Sequence, residues 1–466
     1  MLRRLLLNIN FTGSEKLSGL ELSIFAFVVM LIMIFLRMPI AAAMAITGFA
    51  GTWYTLGSPN AVLSQLKSLT FDTFSSYSLS IVPLFLLMGQ FATKSGMSQK
   101  LFRAAADWLG HKKGGVAMAS VGACAGFGAV CGSSLATAAT MGQVALPEMR
   151  RYGYSGALST GVLAAGGTLG ILIPPSVILV IYAILTEQNI VKMFAAALVP
   201  GIIAALGYML TVAIYVRIWP DSARTAPRIP YRQRFKSLAE VWPVVVIFLL
   251  VMGGIAGDWN WFKLGMQALF TPTEGAAVGA VATGLYGYYT GGLNRSTFMD
   301  CIMSTASATG MIFLIIFGAQ IFNTFLAFTQ TPQALAQWVT SSGYSAWTIL
   351  YVILLCYLIF GCVMDSLSMI LLTIPIFFPI IEALDFGMSV EETAIWFGIL
   401  ALIVVEVGLI TPPVGMNLFI IQSMAKDVPI TQTYRGVTPF VISDLVRVVV
   451  LISFPIISLF PVRWLF

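Results

Sequence analysis

The stretch that decides the fold is GILIPPS, residues Gly170–Ser176, together with GLITPPV, residues Gly408–Val414, which begins 238 positions after it. In both stretches a proline pair interrupts an apolar run. Proline has no N–H to donate and its ring clashes with the preceding turn, so each pair ends a helix and frees backbone carbonyls. Lipid cannot satisfy these carbonyls, so they must face protein or a cavity. Two helices broken at corresponding positions are typical of the central site of a secondary transporter.

The composition places the chain in a lipid bilayer. Of the 466 residues 58% are hydrophobic and only 9% are charged, and the mean hydropathy is +0.92. Several apolar stretches reach the ~20 residues that cross a bilayer. The net charge of +6 is spread over loops beside these stretches, a pattern that encodes topology and does not indicate a nucleic-acid partner. We therefore predict an all-α polytopic membrane protein, and we find no catalytic motif that indicates an enzyme.

The chain is internally duplicated. We divide it into an N-terminal segment, 1–19, a first repeat, 20–216, a basic cytoplasmic linker, 217–240, and a second repeat, 241–466. Each repeat has about five spans. Ordered landmarks recur at a slowly drifting offset: Ser133-Ser134-Leu135 corresponds to Asp365-Ser366-Leu367 and Pro147 corresponds to Pro379, both 232 positions later. Several landmarks in the same order indicate a repeat more strongly than any one of them.

The distribution of Lys and Arg predicts how the repeats are oriented. If the second span enters from the cytoplasm, the inward segments hold 17 of the 25 basic residues, whereas loops 329–343 and 385–392 hold none. This bias fits the positive-inside rule. Because each repeat has an odd number of spans, the second repeat enters from the opposite side, and the repeats are inverted. Inverted repeats are typical of secondary transporters, although a duplicated membrane protein without a transport role is the alternative.

Two helical pairs, 114–149 and 344–384, begin and end on the same side of the membrane. We interpret them as re-entrant hairpins, with tips at the Gly132 region and at Gly361–Leu367; the alternative is two full spans in each pair. The adjoining broken helices are predicted at 156–185 and 393–423. Irregular backbone at this depth is tolerated only where protein or water covers it.

Hydroxyls and freed carbonyls at these tips and breaks predict two cation sites. Hard cations such as Na⁺ take several oxygen ligands, and carbonyls and hydroxyls supply them without excess negative charge. We expect the first site to comprise Ser133, Ser134, Gly170, Ile173 and Pro175, and the second to comprise Asp365, Ser366, Gly408, Thr411 and Pro413. The substrate-facing candidates are Gly132, Ser176 and Asn417.

Two carboxylates lie in the second repeat near these sites. A carboxylate at membrane depth is by default a functional candidate, and Asp365 fits a cation ligand, a proton carrier or a partner of the substrate. It also fits the cap of a helix that starts at Ser366, and a cap can be a ligand as well. Glu406 precedes the second break and can sense cation occupancy or pair with a basic residue.

Four motifs give the chain a family resemblance: FTPTEGAAV at Phe270–Val278, CGSSLATAA at Cys131–Ala139, GLITPPVGMN at Gly408–Asn417, and GILIPPS. Over nearly its whole length it resembles the large membrane subunit of the tripartite ATP-independent periplasmic (TRAP) transporters. The resemblance implies a multi-pass protein of the bacterial inner membrane and a sodium-coupled importer of an organic acid anion. It implies a small four-span membrane subunit, a periplasmic substrate-binding protein and an elevator mechanism. The family's cation-binding positions map onto the serines, glycines and prolines named above.

Other functions compete with this interpretation. A stand-alone sodium/dicarboxylate symporter of elevator type would need no partner protein. A channel or a membrane enzyme is disfavoured, because no ring of charges, metal-ligand set or nucleophile motif is visible.

Overall fold

The protein is helical throughout the part that the computed structural model describes, residues 18–256, 269–341 and 343–466. These residues form 21 α-helices, two short 3₁₀ segments and no strand. Most of the predicted segment 1–19 lies outside the described residues. The helices are α1 Gly19–Phe35, α2 Ile40–Leu56, α3 Pro59–Phe74, α4 Ile81–Lys94, α5 Met97–Leu109, α6 Gly115–Cys131, α7 Ser134–Arg151, α8 Gly156–Leu172, α9 Val177–Leu185, α10 Ile190–Ile218, α11 Tyr231–Ala239, α12 Trp242–Ala256, α13 Pro272–Tyr289, α14 Arg295–Phe328, α15 Thr331–Ser341, α16 Ala346–Gly361, α17 Ser366–Glu382, α18 Val390–Gly408, α19 Met416–Met424, α20 Ile430–Ser453 and α21 Ile456–Leu465.

Three of these helices, α10, α14 and α20, are each long and apolar enough to cross a membrane. Up to six spans meet this criterion within the described residues when each bent helix pair is counted as one span. Further apolar helices of 10 to 17 residues, among them both helices of the second hairpin, are too short to pass it alone. Hairpins and broken spans do not cross the membrane as one continuous helix, so a chain that contains them has short apolar helices.

The chain divides into two compact units. The first comprises Met1–Ser75 and Phe313–Tyr344, and the second comprises Ser76–Ile312 and Ser345–Phe466. This division differs from that of the repeats, because each unit takes segments from both halves of the sequence. The boundary between the two repeats at 217–240 stays a prediction.

The first unit is tied together by buried hydroxyls. The Ser23 hydroxyl is 2.8 Å from that of Thr329 and accepts a hydrogen bond from that of Thr331 at 2.6 Å, so α1 is joined to the end of α14 and the start of α15. Nearby, α2 and α14 cross closely at Gly48, where a Cβ atom would lie 2.7 Å from the backbone of Phe322. Glycine is required at such a crossing.

The second unit contains both hairpins. In the first, α6 ends at Gly132, whose φ of 64° suits glycine, and Ser133 caps α7 by accepting a hydrogen bond from the Ala136 N–H. In the second hairpin α16 leads to Asp365, which caps α17 by accepting from the Ser368 N–H. Both tips therefore turn the chain with a side-chain cap at the start of the returning helix.

The second unit also contains both broken helices. The first consists of α8 and α9, which are bent by 46° around the proline pair at 174–175. Ser176 caps α9 by accepting from the Leu179 N–H. In the second, α18 ends at Gly408, and α19 starts after Gly415, whose φ is 64°. The prolines interrupt the hydrogen-bond ladder at both predicted places.

Contacts between loops of the second unit join segments that the Lys and Arg distribution assigns to the same side. Among the inward segments, Arg150 pairs with Asp427, and the Trp108 indole donates to the Arg234 carbonyl at 3.2 Å. On the outward side, two ion pairs attach α18 to other helices: Lys192 to Glu391 at 2.5 Å and Arg463 to Glu392 at 2.6 Å.

Candidate cation and substrate site

The first hairpin tip packs directly against the first broken helix. A Cβ atom added to Gly170 would lie 2.4 Å from the Thr137 hydroxyl oxygen and 2.7 Å from the Ser133 carbonyl oxygen. A Cβ atom added to Gly128 would lie 2.5 Å from the Gly170 Cα atom. At the tip itself, a Cβ atom on Gly132 would lie 3.0 Å from the Pro175 carbonyl oxygen. The predicted residues Ser133, Gly170 and Pro175 are thus brought together with Gly132.

The second hairpin and the second broken helix repeat this packing. A Cβ atom on Gly408 would lie 2.6 Å from the backbone of Gly361, and one on Gly361 would lie 3.1 Å from the Gly408 Cα atom. Past the break, the Gly415 N–H donates to the Cys362 carbonyl at 3.0 Å. Gly128 and Gly170 in the first repeat therefore have counterparts in Gly361 and Gly408. Both crossings depend on a pair of glycines whose backbones touch.

Four side-chain oxygens in this region are buried without a hydrogen-bond partner in the described residues. They are Ser134 Oγ, Thr137 Oγ1, Asn417 Oδ1 and Glu406 Oε2, and each side chain is at most 1% exposed. Buried polar atoms are nearly always hydrogen-bonded, so each exception requires an explanation. Ser134 and Thr137 share a face of α7, three residues apart, and Thr137 lies against Gly170 at the break. Oxygen atoms left free at this place suit a hard cation.

The remaining main-chain candidates of the first site lie at the end of α8. Ile173 has an extended backbone, with φ of −96° and ψ of 119°, and its N–H still donates to the Leu169 carbonyl at 3.2 Å. The proline pair that follows offers no N–H groups. Carbonyls at the end of α8 are consequently available to a ligand.

The side chains of the second site are bonded within the protein in this structure. Asp365 accepts hydrogen bonds from the N–H and the hydroxyl of Ser368. The Thr411 hydroxyl donates to the Val407 carbonyl at 2.6 Å, and the Pro413 carbonyl accepts from the Tyr434 hydroxyl at 2.8 Å. These carboxylate, hydroxyl and carbonyl oxygens keep further lone pairs. The two sites are therefore alike in backbone but differ in their side-chain bonding.

The substrate-facing candidates occupy different positions. Gly132 lies at the first tip, and Ser176 is fully buried as the cap of α9. Asn417, at the start of α19, donates from Nδ2 to the Ala164 carbonyl of α8 at 3.3 Å and leaves its Oδ1 atom free. Its amide therefore connects the two broken helices, one from each repeat.

The sequence interpretation missed Thr137. Its spacing of three residues from Ser134 is the signal that would have identified it, because such residues share a helix face. It also missed a buried polar network on α20, where Arg447 lies 2.9 Å from Asp444. The Tyr208 hydroxyl donates to Asp444 at 2.7 Å and lies 3.0 Å from the Thr168 hydroxyl. An acidic and a basic residue three apart in an apolar helix, Asp444 and Arg447, are the signal for such a pair.

Two hairpins that meet two broken helices, in an all-helical membrane protein, define a secondary transporter. Residues 27–457 match the family described as "Tripartite ATP-independent periplasmic transporter, DctM component". The chain belongs to this family, as its resemblance to the TRAP large subunits predicted.

The chain is similar over most of its length to transporter permeases. It is 36% identical over 411 residues to the "C4-dicarboxylate TRAP transporter large permease protein DctM" of Pseudomonas aeruginosa, which covers 88% of this chain and 92% of that protein. It is 29% identical over 432 residues to the "Isethionate TRAP transporter permease protein DctMQ" of Oleidesulfovibrio alaskensis, which covers 91% of this chain and 63% of that protein. Both relatives are named as permeases, in agreement with the prediction that the chain is not an enzyme.

A solved transporter shares the fold. The crystal structure of the Alcanivorax borkumensis YdaH transporter, described as having an unusual topology, aligns with a TM-score of 0.62 at 14% identity. The alignment covers 85% of this chain and 89% of the YdaH chain. The predicted fold class is confirmed: an all-α polytopic membrane protein of the elevator-type fold, with two inverted repeats that each contain a hairpin and a discontinuous helix.

Proposed function

We propose that the protein is the large transmembrane subunit of a tripartite transporter that imports an organic acid anion in symport with sodium by an elevator mechanism. The observation that carries the proposal is the set of free oxygens at the place where a hairpin tip meets a broken helix. Ser134 and Thr137 are buried there, neither hydroxyl makes a hydrogen bond of good geometry in the described residues, and Thr137 lies against the backbone of Gly170. A bound cation would satisfy them.

The donor set favours sodium over a transition metal. No group of three or more His, Cys, Asp or Glu side chains that could hold a metal ion occurs in the described residues. Hydroxyls and backbone carbonyls are hard, uncharged oxygen ligands, and such ligands suit alkali and alkaline-earth cations. In the first site Ser133, Ser134, Gly170, Ile173 and Pro175 would hold one Na⁺, and Thr137 joins them. In the second site Asp365, Ser366, Gly408, Thr411 and Pro413 would hold another.

The substrate would be an anion held between the two cation sites. Helices α7 and α17 both start at a hairpin tip, and the positive ends of their dipoles favour negative charge. Two bound cations would add to this attraction. Gly132, Ser176 and Asn417 would border the anion, and Asn417 connects both broken helices. The relatives are named for a C4-dicarboxylate and for isethionate, which both carry acidic groups.

The transporter would need two further proteins. We propose a small four-span membrane subunit and a periplasmic substrate-binding protein, with the assembly in the bacterial inner membrane. A relative named DctMQ matches this chain over 63% of its own length, which leaves room there for a second component. In the elevator mechanism a transport domain that contains both hairpins and both broken helices would move with its bound ions and substrate.

Reconstitution tests the proposal. The chain is placed in liposomes with its small subunit, and uptake of labelled C4-dicarboxylates and other organic acids is followed under an inward sodium gradient. We expect uptake that requires sodium, the small subunit and the substrate-binding protein together.

The other outcomes separate the alternatives. Uptake by this chain alone under a sodium gradient would support the stand-alone symporter. Uptake that is indifferent to sodium would refute both cation sites. Uptake that needs sodium but not the binding protein would refute the tripartite assignment and leave the ion sites standing.

A further inference from the structure

Glu406 is a buried carboxylate that the proposed cation sites do not use. It lies in the last turn of α18, two residues before the glycine crossing at Gly408, and it is 1% exposed. Its Oε1 atom accepts a hydrogen bond from the Ser366 hydroxyl at 2.6 Å. The Ser134 side chain lies beside the same carboxyl group. Its Oε2 atom has no partner in the described residues.

The two serines are equivalent positions of the two repeats. Ser134 and Ser366 are 232 residues apart, and each is the first residue of the returning helix of its hairpin. One carboxylate therefore meets both hairpin tips, although the residue belongs to one repeat only. The N-termini of α7 and α17 both favour a negative charge at this place.

Within the described residues, no basic side chain forms an ion pair with this carboxylate. The charged groups that act on it are Asp444 and Arg447 of α20, and Arg447 is paired with Asp444 at 2.9 Å. The Tyr208 hydroxyl donates to Asp444 as well. An unpaired buried carboxylate is costly, and positive charge bound at the two tips would offset that cost.

We propose that Glu406 couples the two cation sites, so that occupancy of one site raises the affinity of the other. The inference rests on the proposed function, because it takes Ser134 and Ser366 as members of the two sites. A cation at the first tip and a cation at the second tip share one anionic neighbour. The first cation to bind fixes the orientation of the Glu406 carboxylate between Ser134 and Ser366. The second cation then binds to a site that is already arranged. Glu406 acts through the serines and is a positioning residue.

Equilibrium binding of ²²Na⁺ to the purified full-length protein tests this coupling without a transport assay. The variant Glu406→Gln keeps the acceptor for the Ser366 hydroxyl and removes the charge. We expect the wild type to bind with a Hill coefficient above 1, and Glu406→Gln to bind with a Hill coefficient near 1. Coupling free energies between sites correspond to affinity changes of about 5- to 150-fold, so we expect a rise in half-saturating sodium of about tenfold.

Glu391→Gln is the matched control. It makes the same chemical change at the other end of α18, where Glu391 is half exposed and paired with Lys192. Sodium binding of this variant should match the wild type. Glu406→Asp, which keeps the charge, should retain a Hill coefficient above that of Glu406→Gln, which a merely structural role would not produce.

The outcomes separate this inference from the proposed function. A wild type that binds no sodium refutes the proposed function. A wild type that binds sodium without cooperativity, or a folded Glu406→Gln variant with an unchanged Hill coefficient, overturns the coupling alone. If Glu406→Gln is not monodisperse on size-exclusion chromatography, Ser366→Ala decides: it removes the hydroxyl that holds Oε1, and an unchanged Hill coefficient in that variant overturns the coupling.

Discussion

Ser134 and Thr137 show at the scale of single residues how burial and function oppose each other. Both hydroxyls are buried and neither makes a hydrogen bond of good geometry in the described residues, although the Ser134 side chain lies beside Glu406. Leaving such a group unsatisfied costs ~1–3 kcal/mol. If these hydroxyls served packing alone, replacing each of them with a methyl group would stabilise the protein. The presence of two such hydroxyls on one helix face therefore favours a role as ligands.

Thr137→Val tests that role, because it removes the hydroxyl and keeps the shape of the side chain. Without ligand we expect the melting temperature to stay the same or to rise, since a buried unsatisfied group disappears. We expect the half-saturating sodium concentration for uptake to rise by about tenfold, the lower end of what loss of a group around a metal costs. Thermal unfolding in detergent and sodium titration of uptake in liposomes measure the two effects.

The same substitution at Thr438 is its control. Thr438 is exposed on α20, and its hydroxyl donates to the Tyr434 carbonyl of its own helix. Sodium dependence should not change in Thr438→Val. A Thr137→Val variant that loses stability and retains its sodium affinity would show that the hydroxyl serves the fold only.

Sequence symmetry could predict the backbone members of the site but not how each hydroxyl is bonded. Gly170 and Gly408 follow from the repeat offset, and both lie against a hairpin tip. Thr411 was expected as a ligand, yet its hydroxyl donates to the carbonyl four residues before it, the common choice of a helical Thr. The bonding of one hydroxyl depends on local distances that no repeat pattern contains.

At the scale of helices, the contact between hairpin and broken helix depends on glycine. The backbones touch at Gly128 and Gly170 and again at Gly361 and Gly408. A side chain larger than hydrogen would push the tip away from the break. These crossings therefore fix the distance between the hydroxyls of one element and the carbonyls of the other.

Gly128→Ala should disturb that distance. Its new Cβ atom would lie 2.5 Å from the Gly170 Cα atom, and a backbone atom of a packed helix cannot move aside cheaply. We expect a loss of ~1–3 kcal/mol in stability, as for other overpacked sites, and loss of uptake. Thermal unfolding and transport assays measure both.

Gly122→Ala on the same helix is the comparison. Its Cβ atom would lie 3.2 Å from the terminal methyl group of Met209, which can move. Alanine also favours the helix by up to ~1 kcal/mol over glycine. Equal losses in the two variants would mean that α6 does not tolerate any added methyl group and that the crossing is not special.

The buried pair on α20 joins three helices. Asp444 accepts from Tyr208 of α10 and is 2.9 Å from Arg447 of its own helix, and Thr168 of α8 lies beside the Tyr208 hydroxyl. Asp444→Asn removes the counter-charge of a buried arginine, so we expect a loss of ~3–5 kcal/mol. Tyr208→Phe removes the hydroxyl that donates to Asp444 and contacts Thr168, and it should cost about 1–3 kcal/mol, because the bond to Asp444 involves a charged group. Unfolding midpoints in detergent measure which of the two variants loses more stability.

Asp427→Asn is the surface counterpart. Asp427 pairs with Arg150, and both side chains are largely exposed, so the expected loss is ~0–1 kcal/mol. If Asp444→Asn were as mild as Asp427→Asn, the buried pair would contribute little to the packing of α8, α10 and α20.

Most helices that carry the site could be predicted from sequence because prolines and glycines punctuate long apolar runs. The predicted hairpins, 114–149 and 344–384, correspond to α6–α7 and α16–α17 within about two residues at each end. Helix α3 is not predicted from the sequence, because its polar residues leave no long apolar run. In the structure this helix is largely exposed. The last part of the chain forms two helices, α20 and α21, that meet at Pro455.

At the scale of the whole molecule, two independent kinds of observation indicate which loops lie on the same side of the membrane. The count of Lys and Arg uses only composition, whereas the loop contacts of the second unit use distances. Arg150 meets Asp427 among segments assigned inward, and Lys192 meets Glu391 among segments assigned outward. A topology that placed the two loops of either pair on opposite sides would require them to touch through the bilayer, whereas which side is the cytoplasm follows from the Lys and Arg count alone.

Single-cysteine labelling tests the topology in intact cells. Val390→Cys places a thiol at an exposed position in the outward loop, and Lys426→Cys places one at an exposed position in the inward loop. A membrane-impermeant maleimide should label Val390→Cys in intact cells with the outer membrane permeabilised, and Lys426→Cys only after the inner membrane is opened. The background should be low, because four of the five native cysteines are buried and Cys356 is half-buried.

The labelling result bears on the inverted repeats as well as on the loops. The loop at 385–392 precedes the second broken helix and the segment 424–437 follows it, so opposite labelling requires that this broken helix crosses the membrane. If both thiols were labelled from the same side, the break at Gly408 would be a turn that sends the chain back. The repeats would then not be inverted, and the carbonyls freed by the second proline pair would lie at a membrane surface, where water can satisfy them without any cation.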